Sequence, residues 1–335
     1  MMFGVVVVCS YVANRFNQSF QNKDEYELIK KYLLNESPLY GFNRPKIWIH
    51  SKYEVNARSW KDFHSRNSTD LNQPYIHLTI KTIINHCGND FNICLIDDET
   101  FSKLIPNWDI DVANVAEPMK SHYRELGMMQ LLYYYGGMIV PNSTVCLKNL
   151  KNFYLEHTQG NQAFVCENIN RNVNLLKQKQ KLLFTPDTSF MGAPKNNETI
   201  REMVEFLKRK NNNPHFSNET DFLGESSQWC IEMIQQQRMN LVFGQKIGVK
   251  TQNRKTILLE DLMEEDYLDL DNDTVAIYIP REEILNRPKY QWFAVMKGEE
   301  ILKSNLIIAK YLQASIVDST NEYHAPTEQK SVVSI

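Results

Sequence analysis

The stretch SHYRELGMMQLLYYYGGMIV, residues 121–140, constrains this chain more than any other. It is long, apolar along one side, and ends in two glycines, as a helix does at its C-terminal cap. The apolar run MIV follows at once and reads as a strand. The same alternation precedes it. KIWIH, 46–50, follows a proline and reads as a strand. From Tyr75 to His86, Ile76, Leu78, Ile80, Ile83 and Ile84 recur at helical spacing. FNICLID, 91–97, reads as a second strand. Strand, helix, strand is the signature of a parallel sheet, so the fold class is α/β.

Further strands are expected at AFVCE (163–167), TSFMGAP (188–194) and TVAIYIP (274–280). Further helices are expected at 196–210, with Thr199 as its N-cap, at 224–237 and at 299–313. These segments make one domain over 44–313, preceded by a strand and helix extension over 1–43. Residues 314–335 form a polar tail, aperiodic from about Asp318, that is loose or docks on a partner.

Charge and cysteine usage exclude several functions. The net charge is -3 and no dense basic stripe occurs, so nucleic acid is not an expected partner. The six cysteines are scattered without a CxxC, which gives neither a zinc site nor a disulfide framework. Buried, reduced thiols in a cytosolic-type compartment are expected. The apolar start, residues 1–13, falls short of the roughly 20 residues of a spanning helix and has no basic leader. Its valine run favours a buried strand over a short membrane anchor.

In order, these segments resemble the capsular polysaccharide synthesis family and related sugar-binding glycosyltransferases with an Asp-x-Asp motif. RPKIWIH resembles the family's opening strand, and NICLIDDETFSKLIP its second strand and following helix. LLYYYGGMIVPNSTVCLKNL resembles its helix, double glycine, strand and trailing apolar stretch, and SFMGAPKNN a later segment of the acceptor half. The resemblance covers roughly residues 44–240. It implies a GT-A fold, a nucleotide-binding mixed sheet flanked by helices, and a nucleotide-sugar or glycan as partner. Divergent relatives of this type are associated with large DNA viruses, which makes cytoplasm or virion the expected location.

In that family, carboxylates at a strand end hold a divalent ion that neutralises the nucleotide's phosphates as the glycosidic bond breaks. Here the first Asp is replaced by Pro141 and the second by Ser143, with Asn142 between them. The family's helical Asp and Arg correspond to Glu125 and Met128. Arg124 is adjacent, but neighbours on a helix diverge by about 100°, so it is expected to point elsewhere. One ion–carboxylate contact is worth about 4 kcal/mol at ~4 Å and an effective dielectric near ~20. Losing both carboxylates weakens metal binding by orders of magnitude. No metal is therefore expected, unless another acid replaces the pair and restores Mn²⁺ or Mg²⁺. Asp109 with Asp111, and Asp269 with Asp271 and Asp273, read as solvated turns. Asp97 and Asp98 end the second strand and are better placed, though a helix N-terminus also favours acids there.

The resemblance implies a nucleotide-sugar site built from Trp48, His50, Glu125, Gly136, Gly137, Asn142 and Ser143. Trp48 either stacks on the base or belongs to the core. Tyr133, Tyr134 and Tyr135 read as packing against the sheet, and Gln228 and Trp229 as a face for an acceptor groove. Three functions fit. One is a glycosyltransferase with a metal-independent site. Another is a noncatalytic scaffold, for example in a virus particle, with a protein partner or a homo-oligomeric state. The third is a glycan-binding module.

Overall fold

β1 (Lys46–His50) and β2 (Asn92–Ile96) run parallel in register, from Lys46 against Asn92 to His50 against Ile96. The computed structural model describes residues 44–50, 73–167, 185–213 and 219–317; the expected strand and helix of 1–43 lie outside them. α1 (Tyr75–Cys87) separates β1 and β2 in sequence, and α2 (Thr100–Leu104) follows β2. The long α3 (Met119–Tyr135) then delivers the chain to β3 (Gly137–Ile139), parallel to β1 on its other side.

β4 (Thr144–Cys146), α4 (Lys151–His157), β5 (Ala163–Glu167) and β6 (Pro186–Ala193) come next. β6 runs antiparallel between β3 and β5, and β7 (Met239–Val242) adds in parallel to β5. The six-stranded order is β2-β1-β3-β6-β5-β7. All strands except β6 point the same way, so the sheet has one carboxyl edge. β8 (Ala276–Tyr278) pairs antiparallel with β4 in a separate two-stranded sheet. The architecture is α/β: a mixed sheet flanked by helices.

Strand alternation separates two cores. Ile47, Ile49, Met138, Phe164 and Phe190 face α1 and the C-terminal part of the chain. Trp48, Cys94, Ile139, Val165 and Met191 face α2, α3, α5 (Glu198–Asn212) and α6 (Glu219–Gln235). The C-terminal part contributes α7 (Leu259–Leu262), α8 (Arg281–Asn286), α9 (Gln291–Val295), α10 (Gly298–Leu302) and α11 (Ile307–Val317). Among the described residues, no helix is long and apolar enough to cross a membrane.

Three expectations need correction. The single helix over 299–313 is two, α10 and α11. The Ser304 hydroxyl donates to Ile301 O at 2.7 Å and closes the first, and Ile307 N–H donates to Glu264 O at 2.8 Å as the second begins. α5 is capped by Asn197, whose Oδ1 accepts from Ile200 N–H at 3.1 Å, while Thr199 donates to Arg238 O. The tail does not begin at 314: α11 continues through Val317, with Ser315 buried and its hydroxyl donating to Cys146 O.

Candidate functional site

The carboxyl ends of β1, β2 and β3 open beneath the first turns of α3. His50 ends β1 and Asp98 follows β2, and the His50 Nε2 lies 3.1 Å from Asp98 Oδ1. Arg124 donates to the same carboxylate twice, from Nε and Nη2, each at 2.7 Å. Its third nitrogen, Nη1, lies 3.5 Å from Glu117. The Arg124 side chain is 13% exposed and that of Asp98 17%, so the pair is largely enclosed. Burial pushes the Asp98 pKa up, but Arg124 and His50 outweigh it and hold the carboxyl well below its usual range. The His50 ring stacks on Phe101 at 5.7 Å. A β-carbon at Gly127 would meet that Phe101 ring at 2.7 Å, so the glycine on α3 makes room for the ring that seats His50.

Glu125, the next residue on α3, serves the opposite flank. Its Oε1 accepts from the Thr188 hydroxyl at 2.8 Å. Because β6 is antiparallel and Ile139 stands opposite Met191, Thr188 lies near the level of Asn142, at the same edge. α3 thus spans β1 and β3, reaching Asp98 beyond β2 with Arg124 and Thr188 on β6 with Glu125. The expectation that Arg124 points away from the edge is corrected. The divergence of neighbours holds, but both directions lead to the carboxyl edge because α3 crosses it.

Asn142 and Ser143, the middle and last of the Asp-x-Asp positions, are folded inward. Asn142 Nδ2 donates to His50 O at 3.3 Å, and Asn142 O accepts from the Thr79 hydroxyl. Ser143 O accepts from Ile279 N–H at 3.0 Å. Asn142 is 7% exposed and Ser143 2%. Asp97 is engaged by the start of α2, its Oδ1 accepting from Thr100 N–H at 2.9 Å. Among the described residues no cluster of His, Cys, Asp or Glu is arranged to hold a metal ion.

The remaining expected residues lie elsewhere. Trp48 is fully buried and its indole N–H donates to Gly136 O at 2.9 Å, so it belongs to the core and offers no face to a base. Gly136 and Gly137 open β3 and therefore sit at the amino edge, about three residues or ~10 Å from the strand's other end. They have φ +67° and +99° and allow close backbone contact rather than ligand contact. Tyr133, Tyr134 and Tyr135 end α3 over that same amino edge, and the Tyr135 hydroxyl donates to Leu104 O. Trp229 stacks on Phe206 between α6 and α5. Asp109 is exposed, and Asp273 pairs with Lys246 at 3.0 Å. Helical spacing alone misplaces Arg124; Asp98, an acid just after β2, is the signal in the sequence for a cation beside it.

No protein-family model and no curated protein matches the chain. Among solved structures it is similar to the PaToxG glycosyltransferase, at 13% identity and TM-score 0.35, covering 88% of this chain and 95% of that one. It is similar to the galactosyltransferase LgtC, solved with donor and acceptor sugar analogs, at 10% identity and TM-score 0.38, covering 81% and 95%. It is also similar to the glycosyltransferase GlyE of Streptococcus pneumoniae TIGR4, at 9% identity and TM-score 0.39, covering 82% of this chain and 64% of that one.

Proposed function

We propose that this is a glycosyltransferase-like protein, related to capsular polysaccharide synthesis enzymes, that takes a nucleotide-sugar at the carboxyl edge of its sheet without a carboxylate-held metal ion. Arg124 carries this reading: a largely enclosed guanidinium stands at the strand ends. A diphosphate needs positive charge, and a guanidinium presents a two-pronged contact to phosphate; Asp98 engages that fork here, so in this reading the diphosphate displaces Asp98 from it. In this reading Arg124 meets the leaving diphosphate where the family uses an ion. His50 beside the Asp98 carboxylate, and Glu125 with Thr188 on the opposite flank, are groups suited to sugar hydroxyls.

A second reading, a noncatalytic scaffold in a virus particle or a glycan-binding module, rests on a different observation. Asn142 and Ser143 are buried and bonded within the fold, and Arg124 is already bridged to Asp98 and Glu117.

Thermal unfolding against a panel of nucleotide-sugars, each with and without Mn²⁺, separates the two. Ligand at about a hundredfold excess over Kd stabilises by about 2.7 kcal/mol. That is a rise of about 2 °C or more for a domain of this size. A rise with one donor, independent of Mn²⁺ and lost in Arg124→Met, is expected. A rise that requires Mn²⁺ overturns the metal-independent site. No rise with any donor leaves the noncatalytic reading standing.

A further inference from the structure

The sequence scatters its cysteines, yet the fold brings two of them into contact. Cys87 is the last residue of α1 and Cys146 the last of β4, 59 residues apart in the chain. Their sulfurs lie 3.9 Å apart, and both side chains are fully buried. The contact follows from how α1 lies along the stretch from Asn142 to Cys146. The Thr79 hydroxyl donates to Asn142 O. About one turn further on, the Thr82 hydroxyl accepts from Cys146 N–H at 2.9 Å.

α11 fixes the same place from another side. The Ser315 hydroxyl donates to Cys146 O and lies 3.1 Å from Nε2 of His86, the residue before Cys87. The Cys146 backbone is therefore held to α1 through its N–H and to α11 through its carbonyl. The Cys146 thiol itself donates to Lys148 O at 3.1 Å. Both cysteines are thus seated by bonds that do not involve the contact between their sulfurs. Bonded sulfurs are about 2 Å apart, so closure needs a movement of about 2 Å, on the scale of a cysteine rotamer change.

We propose that Cys87 and Cys146 are a redox-modifiable pair, which a small peroxide converts to a disulfide tying α1 to β4 just beyond Ser143. One thiolate attacks a peroxide oxygen, the O–O bond breaks, and the sulfur becomes a sulfenic acid as hydroxide leaves. The second thiolate attacks that sulfur and displaces a second hydroxide. The two hydroxides take up the two thiol protons as water, and the pair gives two electrons to the peroxide. A small neutral oxidant suits an enclosed pair, and a dithiol reverses the step by exchange. The pair is independent of the nucleotide-sugar reading, which rests on Arg124.

The test treats the folded full chain with hydrogen peroxide, alkylates the remaining thiols and maps peptides without reduction by mass spectrometry. A Cys87–Cys146 peptide is expected, two hydrogens lighter than its parts and lost on treatment with dithiothreitol. Cys166, buried in the same core, is expected to stay unlinked. The linked chain is expected to unfold several degrees higher than the reduced one, because the bond restricts the unfolded chain. Cys87→Ala is expected to lose both the link and the rise in Tm. Sulfenic or sulfinic acid at either cysteine without the link overturns the pair. So does a link from either to another cysteine, Cys9 included, or a Cys87–Cys146 peptide that forms only in urea. These outcomes are read on the wild-type chain, so they hold even if Cys87→Ala does not fold. A linked chain whose Tm does not rise overturns the tie between α1 and β4.

Discussion

Asp98 is the residue on which the carboxyl edge turns, since it receives Arg124 from α3 and His50 from β1. Asp98→Asn removes the carboxylate charge that faces the largely enclosed Arg124 guanidinium. Removing one partner of a buried pair costs about 3–5 kcal/mol, and partial exposure here reduces that to about 2 kcal/mol. Urea unfolding at neutral pH measures it. The pH dependence has a fixed sign. The folded carboxyl is held below its usual pKa, so the stability it contributes is present above the unfolded value of about 3.9. It is lost as pH falls through the folded pKa. The gap between wild type and Asp98→Asn is therefore expected to be constant near neutrality and to shrink below about pH 4. At the other edge, Gly137→Ala combines φ +99° with a β-carbon 2.1 Å from Lys46 O, whereas Gly160→Ala at φ +67° meets nothing within 4 Å. The first is expected to cost about 3 kcal/mol or more, and the second about 1 kcal/mol, the strain of a left-handed residue alone. Equal costs would mean that the double glycine is there for conformation and not for close approach.

At the scale of elements, α11 is the piece whose extent matters. Ser315 donates to Cys146 O and lies 3.1 Å from His86 Nε2, tying α11 to both β4 and α1. Truncation after residue 313 removes this buried link and is expected to lower Tm by several degrees, at about 2–4 °C per kcal/mol. An unchanged Tm on truncation after 313 would mean that α11 does not depend on its last turn. The sequence alone located α3, β1 and β5 because each shows one uninterrupted pattern with a clear stop: a double glycine, a preceding proline or a charged end. It could not locate the break between α10 and α11, because apolar spacing continues across it and only Ser304 marks the turn. It placed Arg124 and Glu125 on different faces of α3 correctly and set Glu125 in the expected site, but not Arg124 at the carboxyl edge. That depends on where α3 crosses the sheet, and helical periodicity carries no information about it.

At the scale of the molecule, the two cores share one sheet, and the thiols report whether they open together. Cys87, Cys146 and Cys166 lie in the core facing α1, while Cys94 and Cys230 lie in the core facing α3 and α6. All five are buried. A hydrogen bond from Cys87 and burial raise the Cys146 pKa well above its ordinary value, and burial does the same for Cys166. Native thiolate is therefore scarce, and a disulfide reagent must wait for an opening. When reclosing outpaces reaction, labelling follows the open population and the ordinary thiol pKa of about 8.5. If the shared sheet makes both layers one cooperative unit, these five cysteines are expected to be modified at closely similar rates, followed peptide by peptide by mass spectrometry. Those rates should rise with pH as ordinary thiols do, and fall together when a ligand stabilises the fold. Earlier modification of Cys87 and Cys146, which lie 3.9 Å apart beside the Ser315 link, would show that α11 opens as a unit of its own. In that case the energetic divide runs within the core facing α1, because Cys166 belongs to that same core.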